Sequence, residues 1–447
     1  MDHHDMALSP DRRISIVTRM FIFAFCIVSL GGYRLQLAGI DPTQSVQGLS
    51  ASYLLYAVDI LCICWAIFVF STNFDAFIRV FRTCLPLTLL PLMALASSVV
   101  SVSPQLTFFE SIKYISAFIV PVSAIIIWYS GRSNQFSYEL LKCILFLSFL
   151  TIIFYPKYGI HSSFDVSQAT HAGSWRGIFG HRTDLGYCCA VLSGLAFSRF
   201  IYQRKISDFF VLCASIFVVY KTGSGGANIV AISSISMITL YFLIRKESKS
   251  IRFSLGTILA SFVLFVVFTF VSPGDILSMI GEDSSFTGRV PLWSYVIEKG
   301  SINYAHGLGY IAGFDLVVGP SMQMAGFNVP NAQGAYMESL IAFGIFGPII
   351  ILLLHIKHFI LMLKFYIDDK SSDELKFKCF AISTVSFFHI LTSTTVESYI
   401  LQTNKILVGL IIVLASEISI LSGEISNFSK IKTKENLRIA DNQGRFI

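Results

Sequence analysis

Residues 54–70 read LLYAVDILCICWAIFVF, a seventeen-residue run interrupted by a single charge, Asp59. At 1.5 Å of rise per residue, such a run with a turn added at each end crosses the roughly 30 Å hydrocarbon core of a bilayer. FIFAFCIVSL (Phe21–Leu30) and TILASFVLFVVFTFV (Thr257–Val271) have the same character. The whole chain of 447 residues is 54% hydrophobic and 13% charged, with 41 Phe and a mean hydropathy of +0.69. Length alone would suggest two or three soluble domains. No soluble core can hide this much apolar surface, so composition overrides length. The sequence predicts an all-α, polytopic integral membrane protein.

Hydrophobic runs bounded by charges, Gly and Pro give about twelve spans. In the first half they fall near 15–37, 52–71, 84–102, 106–129, 139–155 and 183–201. In the second half they fall near 207–221, 225–244, 253–271, 335–363, 377–397 and 402–421. Residues 1–271 thus hold nine spans with a short polar outer loop at 156–182. One large outer loop follows at 272–334, the last three spans occupy 335–421, and 422–447 form a polar tail. The first span has no cleavage region before it and reads as a signal anchor.

The net charge of +6 raises nucleic acid or anionic lipid as partners. The cations instead cluster in alternate connections: Arg12 and Arg13; Arg79 and Arg82; Arg132; Arg204 and Lys205; Arg245, Lys246, Lys249 and Arg252; Lys364, Lys370 and Lys376. That pattern orients a membrane protein and puts both termini in the cytoplasm, so nucleic acid is not an expected partner and the bilayer is. The nine cysteines lie within or at the edges of spans, which leaves neither a disulfide framework nor a Cys/His metal spacing. Charges inside spans are costly. Asp59 sits in mid-span, Glu110 and Lys113 are spaced to neutralise each other, Glu338 opens the tenth span, and His355 and His358 read as structural.

Two outer connections run against the charge bias. The 156–182 loop carries His161, Asp165, His171, Arg176, His181 and Arg182. The 272–334 loop carries Arg289 and Trp293 on a short amphipathic helix near 288–299, then AHGLGYIAG with His306. A third outer turn, YKTGSGGAN, adds Lys221 among glycines. A lone interfacial cation is ordinarily a snorkelling anchor. Cations on three loops, each beside a Gly-rich turn, make an anion site. Arginine binds phosphate oxygens as a rigid, permanently charged fork, and at the outer membrane edge the available diphosphates are those of lipid-linked sugars. Cations there would neutralise the charge of a departing polyprenyl diphosphate. No Asp pair for a metal is present in the pattern.

At these loops the sequence resembles the bacterial O-antigen ligase and exopolysaccharide polymerase superfamily. WRGIFGHRTDLG (Trp175–Gly186) is similar to the signature of the exopolysaccharide polymerase branch. GRVPLW (Gly288–Trp293), followed by Gly307 and Gly309, is similar to the opening of the large-loop motif. PNAQGAYMESLIAFGIFG (Pro330–Gly347) is similar to an Asn-Ala-His-Asn-x-Tyr stretch leading into a helix that ends Gly-x-x-Gly. The resemblance implies a GT-C-like glycosyltransferase of the bacterial inner membrane, working without metal, cofactor or nucleotide sugar. It would polymerise undecaprenyl-diphosphate-linked repeat units by inverting transfer, beside a flippase and a chain-length regulator. It would place Arg176, Arg289 and His181 at the reacting centre. Arg182, Lys221, Trp293, His306, Gln333 and Glu338 would contact substrate.

Two positions depart from the family. Gly225 stands where ligases carry Arg, and Gln333 stands where they carry a His that helps deprotonate the acceptor. Gln is no base near neutral pH, which disfavours a ligase transferring polymer to lipid A core. It leaves His181, His306, Asp315 and Glu338 as base candidates. A lipid-oligosaccharide flippase is the alternative of a different class. It would show related halves and ionisable residues spread through the spans, whereas here the polar residues concentrate in outer loops.

Overall fold

The structure, a computed structural model, describes residues 49–130, 135–162, 171–248, 250, 254, 289–299, 302–324, 331–367, 373–395, 399–401 and 406–422. The expected spans at 15–37 and 253–271 lie outside these residues. So do loop residues 272–288 and the tail beyond 422.

Among the described residues the chain is helical, with one isolated antiparallel bridge between Ile160 and Trp175. Helices α1 (Leu49–Thr72), α2 (Phe74–Thr83), α3 (Leu85–Ala96), α4 (Pro104–Ser130) and α5 (Phe136–Phe154) form the first half. Next come α6 (Arg182–Gln203), α7 (Ile206–Thr222), α8 (Gly225–Ile244) and the short α9 (Arg289–Lys299). The last four are α10 (Ala335–Phe343), α11 (Phe346–Ile367), α12 (Asp373–Thr395) and α13 (Ile406–Ser422). Six of the described helices are long and apolar enough to cross a membrane, and seven if the bent pair of α1 and α2 counts as one span. Their outward faces agree, since Leu61, Phe68, Phe146, Ile153, Phe210, Ile232 and Leu243 are all more than half exposed. Exposed large apolar side chains on these helices suit lipid. The protein is an all-helical, membrane-embedded one.

One expected span is drawn differently by the structure, and one expected connection holds a helix. The single span at 335–363 is two helices, α10 and α11, because Gly344 takes φ +64° and turns the chain between them. Beyond Thr72, the chain bends by 103° into α2. This helix buries Phe77 and Val80 and exposes Asp75, Arg79 and Arg82, the pattern of a helix lying along a surface.

Helix α6 is central. It packs on α5, α7, α8 and α12, while α11 joins α12 to α3 on the other side. The contacts sort the helix ends into two sets. At the basic end, Arg199 pairs with Asp208 (3.5 Å) and Arg245 with Asp373 (3.8 Å), and Ser419 donates to the Arg79 carbonyl (3.3 Å). At the loop end lie residues 156–162 and 171–177 with the α7–α8 turn, and the 302–313 segment with α10. A small apolar cluster of Leu292, Val296, Phe314, Val318, Met322, Ala332 and Ile341 underlies the second half of this end.

Candidate functional site

The sequence-predicted residues fall into two groups, both at the loop end. The first surrounds the N-terminus of α6. Arg176 is buried, and its Nε donates to the Tyr158 carbonyl (2.8 Å) while Nη2 donates to that of Lys157 (3.2 Å). Its own N–H donates to the Gly159 carbonyl (2.9 Å). Arg176 is therefore a staple that closes the 157–176 segment on itself, and these donors reach backbone rather than an open cleft.

Arg182 opens α6 and reaches the next turn. Its Nη1 donates to the carbonyls of Gly223 (2.9 Å) and Thr222 (3.3 Å), the last acceptors of α7. A cation there suits the negative end of a helix. The same turn is held from the other side by the Trp175 N–H, which donates to the Lys221 carbonyl (3.1 Å). Lys221 is exposed, with Nζ 5.7 Å from the Phe217 ring centroid. A Cβ built at Gly225 would meet nothing within 4 Å, so the place where the resemblance expects Arg is open space.

His181 is the N-cap of α6, and its Nδ1 accepts the Thr183 N–H (3.2 Å). Two further histidines, which the sequence showed only as loop residues, converge on it. The rings of His161, His171 and His181 are mutually 5.9–6.3 Å apart. The overlooked signal was spacing: three of the chain's nine histidines recur ten residues apart. Among the described residues no group of His, Cys, Asp and Glu is arranged to hold a metal ion.

The second group is built on α9 and α10. Trp293 donates from Nε1 to the Ala332 carbonyl (2.8 Å). Its ring lies where a Cβ on Gly334 would be, 2.8 Å from Cζ2. Trp293 thus moulds the Asn331–Gly334 turn, in which Gln333 takes φ +51° and its N–H donates to Asn331 Oδ1 (2.8 Å). Trp293→Phe keeps the ring and leaves the Ala332 carbonyl without this donor. A loss of about 1 kcal/mol in local stability is expected, read as faster hydrogen exchange across 331–336; unchanged exchange would remove Trp293 from this role.

His306 is exposed and has both ring nitrogens engaged, with Asn303 Nδ2 (2.8 Å) and the Gly307 carbonyl (2.8 Å). Glu338 is buried and lines a recess of about 10 Å³ with Gly309, Tyr310, Phe314 and Leu401, room for a single water at most. Asp315 sits on a π-helical turn, Phe314–Val318. Burial of its carboxyl, and then the Glu110 carboxylate, push its pKa above the usual value. Glu110 itself pairs with Lys113 (2.5 Å), as their spacing on α4 anticipates. Arg289 is the first residue of α9, but its side chain lies outside the described residues.

No protein-family profile matches this chain, and no curated protein matches it.

Proposed function

We propose that this protein is a membrane glycosyltransferase that polymerises polyprenyl-diphosphate-linked oligosaccharide, with its reacting centre at the loop end and on the outer face of the membrane. One observation carries the reading. Arg182, the arginine of the GHRTDLG stretch, lays its guanidinium on Thr222 and Gly223 of the TGSGG turn, two residues before Gly225, where the ligases it resembles have their own arginine. A fork-shaped cation is therefore supplied to that turn from a different helix. The diphosphate would be held by Arg182 and Lys221, with Arg289 supplied from the start of α9. Arg176 would act by shaping the segment that carries His181. Among the base candidates, Asp315 has its carboxyl pKa raised by burial and then by the Glu110 carboxylate, the direction that makes a carboxylate a stronger base.

The test is complementation of a strain lacking this chain, with the length of surface polysaccharide as readout. Arg182→Ala should cut chain extension by about 10²-fold or more while the protein remains inserted. Gly225→Arg in the Arg182→Ala background should restore part of it, because the space at Gly225 is open. Long chains of normal abundance from Arg182→Ala would end the proposal. The deletion strain itself separates the neighbouring activities. Single repeat units on lipid A core mean that a polymerase is missing, whereas polyprenyl-linked polymer with bare core means that a ligase is.

A further inference from the structure

Helices α10 and α11 form a hairpin. Gly344 turns the chain between them, and Gly347 lets α11 lie against α10, since a Cβ there would fall on the Ser339 carbonyl. The hairpin brings the first turn of α10 beside the middle of α11. There Tyr336 meets His355, with ring planes within 12° of parallel and centroids 5.8 Å apart. His355 is buried, whereas Tyr336 is half-buried.

The neutral His355 ring has one tautomer that fits its surroundings. Nδ1 lies 2.7 Å from the Ile351 carbonyl, one turn earlier on the same helix. A carbonyl only accepts, so the ring proton is on Nδ1. Nε2 is then a lone pair, and it takes the Thr394 hydroxyl from α12 (2.8 Å). That hydroxyl has the Ile390 carbonyl as its alternative acceptor, also at 2.8 Å. The Tyr336 oxygen stands 3.2 Å from Nδ1. Because this nitrogen already carries a proton, the phenol oxygen accepts from it, and the phenol's own proton turns elsewhere. Among the described residues no other group is hydrogen-bonded to the Tyr336 hydroxyl.

The entry to α10 says what that proton can meet. Asn331 and Gln333 are half-buried in the turn that precedes the helix, and Trp293 fixes this turn through the Ala332 carbonyl. Asn331 Oδ1 takes the Gln333 N–H (2.8 Å). The Asn331 amide nitrogen and the whole Gln333 amide have no hydrogen-bond partner among the described residues. No Lys or Arg occurs from Asn331 to Phe343. Two amides and a phenol without a cation suit sugar hydroxyls. A diphosphate calls for the charge that Arg182 and Lys221 carry at another turn.

We propose that Tyr336 is a glycan-binding residue, donating its phenolic proton to a sugar oxygen of the lipid-linked substrate, and that His355 is its positioning residue. Neither works alone in this arrangement: the His355 N–H holds the phenol oxygen from behind, and Thr394 holds His355. The assignment rests on the glycosyl-transfer reading and adds to it the residue that binds the sugar.

The test is the affinity of the full chain in lipid nanodiscs for two probes. One is the polyprenyl-diphosphate-linked oligosaccharide extracted from a strain lacking this chain; the other is polyprenyl diphosphate without sugar. Tyr336→Phe keeps the ring and its packing. It should weaken binding of the first probe about three- to tenfold, the worth of one neutral hydrogen bond, and leave the second unchanged. His355→Gln should cost about as much in the wild type and nothing further in Tyr336→Phe, since it acts through the phenol. Equal affinity of the wild type and Tyr336→Phe for the oligosaccharide overturns the assignment while glycosyl transfer stands. An equal loss from His355→Gln in both backgrounds would make His355 a tie between α11 and α12 and also overturns it. So does weakened binding of the sugar-free probe by Tyr336→Phe. A wild type that binds neither probe overturns the glycosyl-transfer reading, and the assignment falls with it.

Discussion

Glu417→Ala is expected to destabilise the protein by about 3–5 kcal/mol, the cost of leaving three buried donors without their acceptor. Glu417 is fully buried on α13, near the basic end. Its Oε1 accepts the Phe136 N–H (2.8 Å), and its two oxygens also take the hydroxyls of Tyr129 and Ser137. Phe136 is the first residue of α5, whose own N-cap, Gln135, makes no side-chain cap bond. The cap of α5 thus comes from a carboxylate on another helix, which is also the favoured charge at a helix N-terminus. Alanine would strand two hydroxyls and one amide where no water replaces the carboxylate, at about 1–3 kcal/mol for each unsatisfied group. Glu417→Gln keeps one acceptor oxygen and should lose roughly half as much. The measurement is the folded, monodisperse fraction after a heating series in detergent, followed by size exclusion. An alanine variant as heat-resistant as the wild type would show that α5 does not depend on this cap.

The architecture was legible where hydrophobic periodicity and punctuation coincide. Gly225–Ile244 agrees with its expected limits, being bounded by Ser224 as N-cap and by Arg245. The break between α10 and α11 was hidden because apolar residues continue through Gly344 without interruption. Only the glycine pair of GIFG marked it. That Arg176, Arg182 and the Lys221 turn share one end of the bundle was legible from their loops. Their individual duties were not. Arg176 spends its fork on carbonyls eighteen and nineteen residues earlier, and Arg182 on a turn about forty residues later. Such partners exist only once the chain has folded back. Glu417 was missed for the same reason: one carboxylate near the end of an apolar run has the look of an interfacial anchor until its three donors are in view. Asp208 likewise accepts the Tyr138 hydroxyl (2.5 Å) from a helix 70 residues earlier.

Gly307→Ala is expected to be the most disruptive single-methyl change at the loop end. Gly307 has φ +74°, and a Cβ there would lie 2.4 Å from both the carbonyl carbon and the oxygen of Ala342. Both are backbone atoms at the end of α10, so no side chain can swing aside. The approach is close because the 304–309 segment is sewn to that helix end. Leu308 N–H donates to the Ile341 carbonyl (2.8 Å), and Ile345 N–H donates to the Tyr304 carbonyl (2.9 Å). Gly344 faces it with the same demand, since its Cβ would come 2.6 Å from the Tyr304 oxygen. The left-handed backbone costs an alanine about 1–3 kcal/mol, and the overlap adds a similar amount. A loss of about 2–5 kcal/mol is expected, enough to part the 302–313 segment from α10 and shift Glu338 and the Asn331–Gly334 turn with it. Gly225→Ala is the matched control. The same methyl enters open space at the start of α8, and the change should stay within about 0.5 kcal/mol. Thermal unfolding of the two variants side by side decides the matter, because equal midpoints would mean that the Gly307 contact yields and the two segments are not locked together.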